Sequence, residues 1–391
     1  MNSRLLPIIA VAVAAAACVL FFVGIPSPPF TAPMNSSAIP PGSSSGGAGA
    51  DAAAADVSTL EKAPGESVKK PSVNWARLSA LINSDGKSGE QIPKASDADL
   101  ERFIAAHGES AVNLVAAYEH SRDRRWIDRA LELFPDSPLA LMTAIHSLPD
   151  RLTVNGEVTQ PTKERLEFIE RFKAADPNNP VPWLFAAQEF FRAKQTVGGI
   201  AEIRAAIERP AFYTYNNERA DAARQIYEDL GLGSLEAGVL ASAGVTLPHM
   251  SAAQQSSRSL MEVEKNAIES GDTAAAEDAI HLTYSLGRMF ATPEASSLLI
   301  GQLVSVSMER RALEALPADA QPDYLPVKPA ERIAELDRQK QAVKDLVAAS
   351  KWLYESNDEK LFAEYYRRLR SDGEFAALTW LKTQKKPPAT R

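Results

Sequence analysis

Apolar residues follow two patterns along this chain. Residues 5–25 form one unbroken apolar run. From about residue 96 onward, apolar positions recur every three or four residues, as in helices with one buried face. Period-2 alternation is scarce, so the pattern predicts an all-α body.

The helical faces come with start and stop residues. Ser96 precedes Asp97-Ala98-Asp99 and caps a predicted helix bearing Leu100, Phe103 and Ile104, which Gly108 ends. Ser110 caps the next, with Val112, Val115 and Tyr118 on one face. Trp126, Ile127, Ala130, Leu131 and Phe134 make a third face, stopped at Pro135. Phe168, Ile169 and Phe172 form another face, and Ile200, Ile203 and Ile207 follow Gly198-Gly199. Ser251 with Gln254 reads as a capping box that opens a helix with Leu260, Val263 and Ile268. After the tight turn Ser270-Gly271-Asp272-Thr273, a return helix carries Ala276, Ile280, Tyr284, Leu286 and Met289. Thr292-Pro293-Glu294 is expected to start a helix with Leu298, Leu299, Leu303, Val306 and Met308. Pro329 opens the next, with Ile333, Leu336, Val343, Leu346 and Val347. Ser356 with Glu359, and Ser371 with Glu374, are two more expected capping boxes, before Leu361, Phe362, Tyr365 and Leu369 and before Phe375, Leu378 and Leu381.

Two junctions repeat. Pro135-Asp136-Ser137-Pro138 leads into Leu139, Met142 and Ile145, and Pro177-Asn178-Asn179-Pro180 leads into Trp183, Ala187 and Phe190. In each, one helix ends before the first proline, and the second proline is expected in the first turn of the next helix, where a missing N–H costs nothing. These junctions, over roughly residues 110–210, resemble those of tetratricopeptide-type repeats. The prolines stand farther apart than the usual repeat of about 34 residues. The resemblance implies stacked helical hairpins, an α-solenoid whose units bury their apolar faces on one another. Residues 255–316, with Ile268-Glu269-Ser270-Gly271-Asp272-Thr273-Ala274-Ala275-Ala276 at their centre, resemble uncharacterised exported helical proteins of planctomycete and verrucomicrobial bacteria. That group implies no activity.

The N-terminal run sets where the body is expected to work. About 20 apolar residues suffice to cross a bilayer as a helix. Arg4 precedes the run, and no Lys or Arg follows until Lys62, so the positive-inside bias keeps the N-terminus in the cytoplasm and exports the rest. Three readings stay open: an uncleaved anchor, a cleaved signal near Ala14 to Ala17, or a lipoprotein acylated at Cys18. All three export the body. The expected organisation is a cytoplasmic end at 1–4, a transmembrane anchor or signal at 5–25, and a disordered Pro/Ser/Gly/Ala-rich tether at 26–95. A helical repeat-like domain at 96–316 follows, then an irregular connection at 317–328, a C-terminal helical block at 329–383 and a basic tail at 384–391. The expected localisation is the inner membrane, single-pass, with the body in the periplasm.

Composition narrows the functions. The chain has 391 residues, 45% hydrophobic, which suffices for a substantial core. Its net charge of −8 disfavours nonspecific nucleic-acid binding, which needs a basic face. Its one cysteine, Cys18, excludes an internal disulfide and any cysteine-based metal site. The sequence lacks a Walker A loop, a G-x-G-x-x-G turn and a G-x-S-x-G elbow. Glu277 and His281 lie one helical turn apart, but no matching motif on another helix completes a metal centre, so they read as a solvated pair. Glu269-Ser270 is similar to the Glu-Ser pair of lytic transglycosylases, without the glycine-rich segment that follows it there. Arg122, Arg124 and Arg125, and Arg367, Arg368 and Arg370, read as solvated faces ahead of anion sites. Trp183, Phe185, Phe190, Phe191, Phe212, Tyr213 and Tyr215 read as core ahead of a binding groove.

No catalytic, cofactor or metal residue is assigned. The expected function is a membrane-tethered extracytoplasmic scaffold for protein–protein interaction, with an unidentified protein partner and no small-molecule substrate. The alternatives are a periplasmic folding helper and a cell-wall hydrolase with a helical body. Lipase-specific foldases share the anchor, tether and helical body, but their Arg-x-x-Phe-Asp-Tyr motif is absent.

Overall fold

The computed structural model describes residues 93–148, 163–292, 298–356 and 358–384. The expected anchor at 5–25 and nearly all of the tether lie outside them. Among the described residues every regular element is a helix, and none is long and apolar enough to cross a membrane.

The helices are α1 (Asp97–His107), α2 (Ala111–Ser121), α3 (Arg124–Leu133), α4 (Pro138–Ser147), α5 (Lys163–Ala175), α6 (Val181–Arg192), α7 (Thr196–Ile207) and α8 (Asn216–Asp229). They continue with α9 (Ser234–Gly244), α10 (Pro248–Ser270), α11 (Thr273–Met289), α12 (Leu299–Glu314), α13 (Pro329–Ser356), α14 (Glu359–Asp372) and α15 (Glu374–Gln384). Chain neighbours pack on one another as α2 on α3, α6 on α7, α8 on α9, α10 on α11, α11 on α12 and α14 on α15. Longer-range contacts set α8 on α2, α10 on α6 and α15 on α13.

Several ends follow the local chemistry of the sequence. Ser96 and Asp99 form a full capping box, each side chain accepting from the other's backbone N–H. Ser110 caps α2 and Asp272 caps α11. Gly108 and Gly271 end their helices at φ of 85° and 77°, where a Cβ is penalised.

Other ends correct the sequence reading. Ser251 lies inside α10, which begins at Pro248; a proline in the first turn fixed that start. Ser356 is the last residue of α13, and Asp358 caps α14, accepting from the N–H groups of Lys360 and Leu361. Ser371 lies within α14, and Gly373 makes the break before α15. Residues 293–297 lie outside the described set, and α12 begins at Leu299, beyond the expected Thr292-Pro293 start. Gly198 and Gly199 do not precede α7 but sit in its first turns, under the rings of Phe190 and Phe191. A Cβ there would meet those rings at 2.9 and 2.7 Å. Phe375, expected on a buried face, is 41% exposed. Helices α8 and α9 had no clear apolar stripe to announce them. Arg219 and Glu236 are among their buried residues.

Of the two proline junctions, the first places Pro138 at the start of α4, as expected. At the second, Pro180 is the N-cap itself, and Pro182 occupies the first turn of α6. Asn179, fully buried, takes over the capping. Its Oδ1 accepts from the N–H of Val181 at 3.2 Å, and its Nδ2 donates to Asp176 and to the carbonyl of Tyr213, each at 2.8 Å. This holds the 211–215 strand of chain against the α5–α6 turn.

The apolar interior divides into clusters. The largest joins α1–α8 with α10, α11 and part of α12, and includes Phe103, Phe172, Leu184 and Phe290. A second joins α13, α14 and α15 around Leu346, Phe362, Leu378 and Leu381, and reaches the rest through Val239 of α9 and Leu299 of α12. A third lies between α11, α12 and α13, around Ile280, Val306, Leu313 and Leu336. There α11 and α12 approach closely at Gly287, where a Cβ would stand 2.8 Å from the backbone nitrogen of Glu309.

Candidate functional site

The connection between α12 and α13 is irregular, as three prolines in 317–328 require. In the structure it is packed: Tyr324 and Leu325 lie against the third cluster. A backbone bond from Leu325 to Pro322 O at 2.9 Å closes a turn there.

This turn presents Tyr324, Pro326 and Val327 opposite α11 and the first turns of α13. Between them is an open cleft of about 390 Å³, also lined by Tyr284, Arg288, Arg332 and Glu335. That volume is within the range of small ligand sites. The walls are aromatic. The Tyr284 and Tyr324 rings stand 5.9 Å apart at 46°, and His281 stacks on Tyr324 with ring centroids 4.3 Å apart.

The base of the cleft is ionic. Glu309 is fully buried, and its Oε2 accepts from Nε of Arg332 at 3.0 Å and from a terminal nitrogen at 2.7 Å. The other terminal nitrogen of Arg332 pairs with Glu335 at 2.8 Å. Arg332 thereby spends its charge on two carboxylates. Arg288 differs. It is exposed and makes no hydrogen bond or ion pair among the described residues.

The two phenols are also unspent. Tyr284 is only 6% exposed, and neither its hydroxyl nor that of Tyr324 has a hydrogen-bond partner among the described residues. Burial raises the pKa of both. Tyr324, further opposed by the charge of Glu277, is pushed up to about 12. Both therefore remain neutral donors at physiological pH.

The other residues singled out in the sequence fall elsewhere. Arg124 pairs with Asp128 and Glu164. Arg125 pairs with Glu101 and Asp123, and covers Trp126 at 4.5 Å. Arg367 and Arg368 share Glu364, and Arg370 pairs with Asp221. Arg122, in the left-handed region at φ 60°, lies 5.8 Å from the Tyr118 ring centroid. Trp183, Phe185 and Phe212 are buried, while Tyr213 is 48% exposed. Glu277 and His281 do not converge with a third ligand: no group of three His, Cys, Asp or Glu suited to a metal occurs among the described residues.

Sequence reading passed over Arg288, Tyr324 and Arg332, and placed Tyr284 among core positions. The one available signal was Tyr324 itself, an aromatic residue between prolines in an otherwise polar connection. Comparison of the chain with protein-family models, with curated proteins and with solved structures finds no match.

Proposed function

We propose that this chain is a membrane-tethered, extracytoplasmic protein-interaction scaffold, its body a stack of helical hairpins of the α-solenoid, tetratricopeptide-like kind. The observation that carries the reading is the Tyr284–Tyr324 cleft, where unpartnered donors surround an apolar wall on an all-helical body. Such a site suits the backbone and side chain of a polypeptide segment. Neighbour-on-neighbour packing of successive helices supports the hairpin stack. The apolar run at 5–25, with Arg4 before it, supports the tether and its orientation. The reading assigns no reaction and no cofactor.

Crosslinking in intact cells, followed by identification of co-purified proteins, tests it. A defined exported protein should be captured by the wild type and lost with Arg288→Glu. Protease added to spheroplasts should digest the body. A body protected until the membrane is opened would reverse the orientation, and release of soluble glycan fragments by the purified protein would replace the scaffold with a hydrolase.

A further inference from the structure

The cleft between Tyr284 and Tyr324 offers hydrogen-bond donors and almost no free carboxylate or carbonyl. The hydroxyl of Tyr284, a residue only 6% exposed, has no partner among the described residues, nor has that of Tyr324. Arg288 has its guanidinium to give. These donors share one space: the charge of Arg288 is felt at the Tyr284 hydroxyl, and that hydroxyl is felt at the Tyr324 hydroxyl. The carboxylate in the lining is spent on both oxygens. Glu335 accepts from Arg332 at 2.8 Å on one and from Gln339 at 3.1 Å on the other. Charge is balanced, with Arg288 and Arg332 set against Glu335 and the buried Glu309. The rest of the wall is two tyrosine rings, Pro326 and Val327.

These features discriminate among polypeptide segments, the kind of ligand proposed for this cleft. A helix with its side chains is about 10–12 Å across, too thick for a cleft of about 390 Å³. An ordinary extended strand carries an N–H on each residue, and an N–H buried without an acceptor is costly. A free chain end brings a full negative charge to a site whose own charges already cancel. A polyproline II segment avoids all three penalties. Proline has no N–H, and the conformation makes no internal hydrogen bonds, so its carbonyls are free to accept. One turn is three residues over about 9 Å. Proline rings pack on aromatic faces in grooves of this type.

We propose that the Tyr284–Tyr324 cleft binds an uncharged, proline-rich segment of another protein in the polyproline II form. Its carbonyls accept from the two phenols and Arg288, and its proline rings lie against the two tyrosine rings. This rests on the scaffold reading and adds what a partner must present: a short proline-rich stretch outside its folded core.

The test uses the full chain in lipid nanodiscs and a fluorescent, uncharged peptide, Ala-Pro-Pro-Ala-Pro-Pro-Ala, blocked at both ends. It should bind saturably at micromolar to millimolar concentration. The same peptide with alanine at every proline should not bind. Tyr284→Phe and Tyr324→Phe keep the rings and remove hydroxyls that have no partner in the fold, so packing is preserved. Each should weaken binding about two- to tenfold, the worth of one hydrogen bond. Absence of saturable binding, equal binding of the alanine peptide, or undiminished binding by the double Tyr284→Phe, Tyr324→Phe variant would each overturn the proposal. So would tighter binding of Ala-Ala-Ala-Phe with a free carboxylate, which would make this a site for chain ends. Capture in cells is read separately. A captured partner that lacks a proline-rich stretch sinks this inference and keeps the scaffold. Peptide binding without any captured partner keeps the cleft's preference and sinks the scaffold.

Discussion

The phenol of Tyr366 on α14 donates to the carbonyl of Gly238 on α9, and its ring fills the space a side chain would need there. A Cβ on Gly238 would stand 2.9 Å from the ring. Ser242, one turn on, is within hydrogen-bond reach of the same hydroxyl. With the Arg370–Asp221 pair, this contact docks the C-terminal helices on the α8–α9 hairpin.

Gly238→Ala should therefore destabilise by about 1–3 kcal/mol, the usual cost of overpacking. Tyr366→Phe keeps the ring and removes the bond, and should cost about 0.5–1.5 kcal/mol. Denaturant unfolding of both variants checks the order. An equal or larger loss for Tyr366→Phe would mean that the hydroxyl, and not the close approach, governs the docking.

The Glu309–Arg332 pair should behave as a buried ion pair. Glu309→Ala leaves a guanidinium that is 9% exposed without its main partner, and should cost about 3–5 kcal/mol. Glu309→Leu combined with Arg332→Met should recover most of that loss, because neither charge is then desolvated. A double variant as unstable as the single one would show that the pair contributes more than mutual neutralisation.

Trp183 is 8% exposed, with the Arg209 guanidinium 4.1 Å from its ring centroid. Trp183→Ala should cost about 3–5 kcal/mol, as emptying a large aromatic site does. An unchanged melting temperature would assign this ring to binding instead of packing.

Acid should weaken the fold through His249. The ring is enclosed by Phe212 and Phe290, and burial, reinforced by the charge of Arg219, pushes its pKa down from 6.5 to about 3. His120 is lowered to about 4, mainly by burial. Above pH 6.5 these rings are neutral in both states, so they leave stability unchanged. Below it the unfolded chain takes up protons that the folded chain refuses. Stability should thus fall as pH drops from 6.5 towards 3, and this contribution should level off below that. His249→Leu should flatten part of this slope in urea titrations across the range.

Much of the helical order was legible because the deciding signals are local. Ser96 with Asp99, Gly108, Pro138 and Gly271 each act within one turn. The three misplaced capping boxes share one cause. Ser-x-x-Glu or Ser-x-x-Gln marks a start only if the helix does not already run through the serine, and the pattern itself does not say. Pro248, Asp358 and Gly373 decided those ends. The cleft was illegible for a different reason. Tyr284 and Tyr324 are joined by the packing of α11, α12 and the connection to α13, with no motif of their own. In sequence, Tyr284 looks like any other apolar position on a helical stripe.

The divided interior has a consequence for how this molecule comes apart. The later part of α13 (Val343, Leu346, Leu353) forms a cluster of its own with α14 and α15, joined to the rest through Val239 and Leu299, while the first turns of α13 belong to the third cluster. Amide hydrogens in that block should exchange through an opening that leaves α1–α8 protected, so the chain has at least two cooperative units. A single melting midpoint would then average two events. Damage near Phe362 should surface in the first event, and damage near Phe172 in the second.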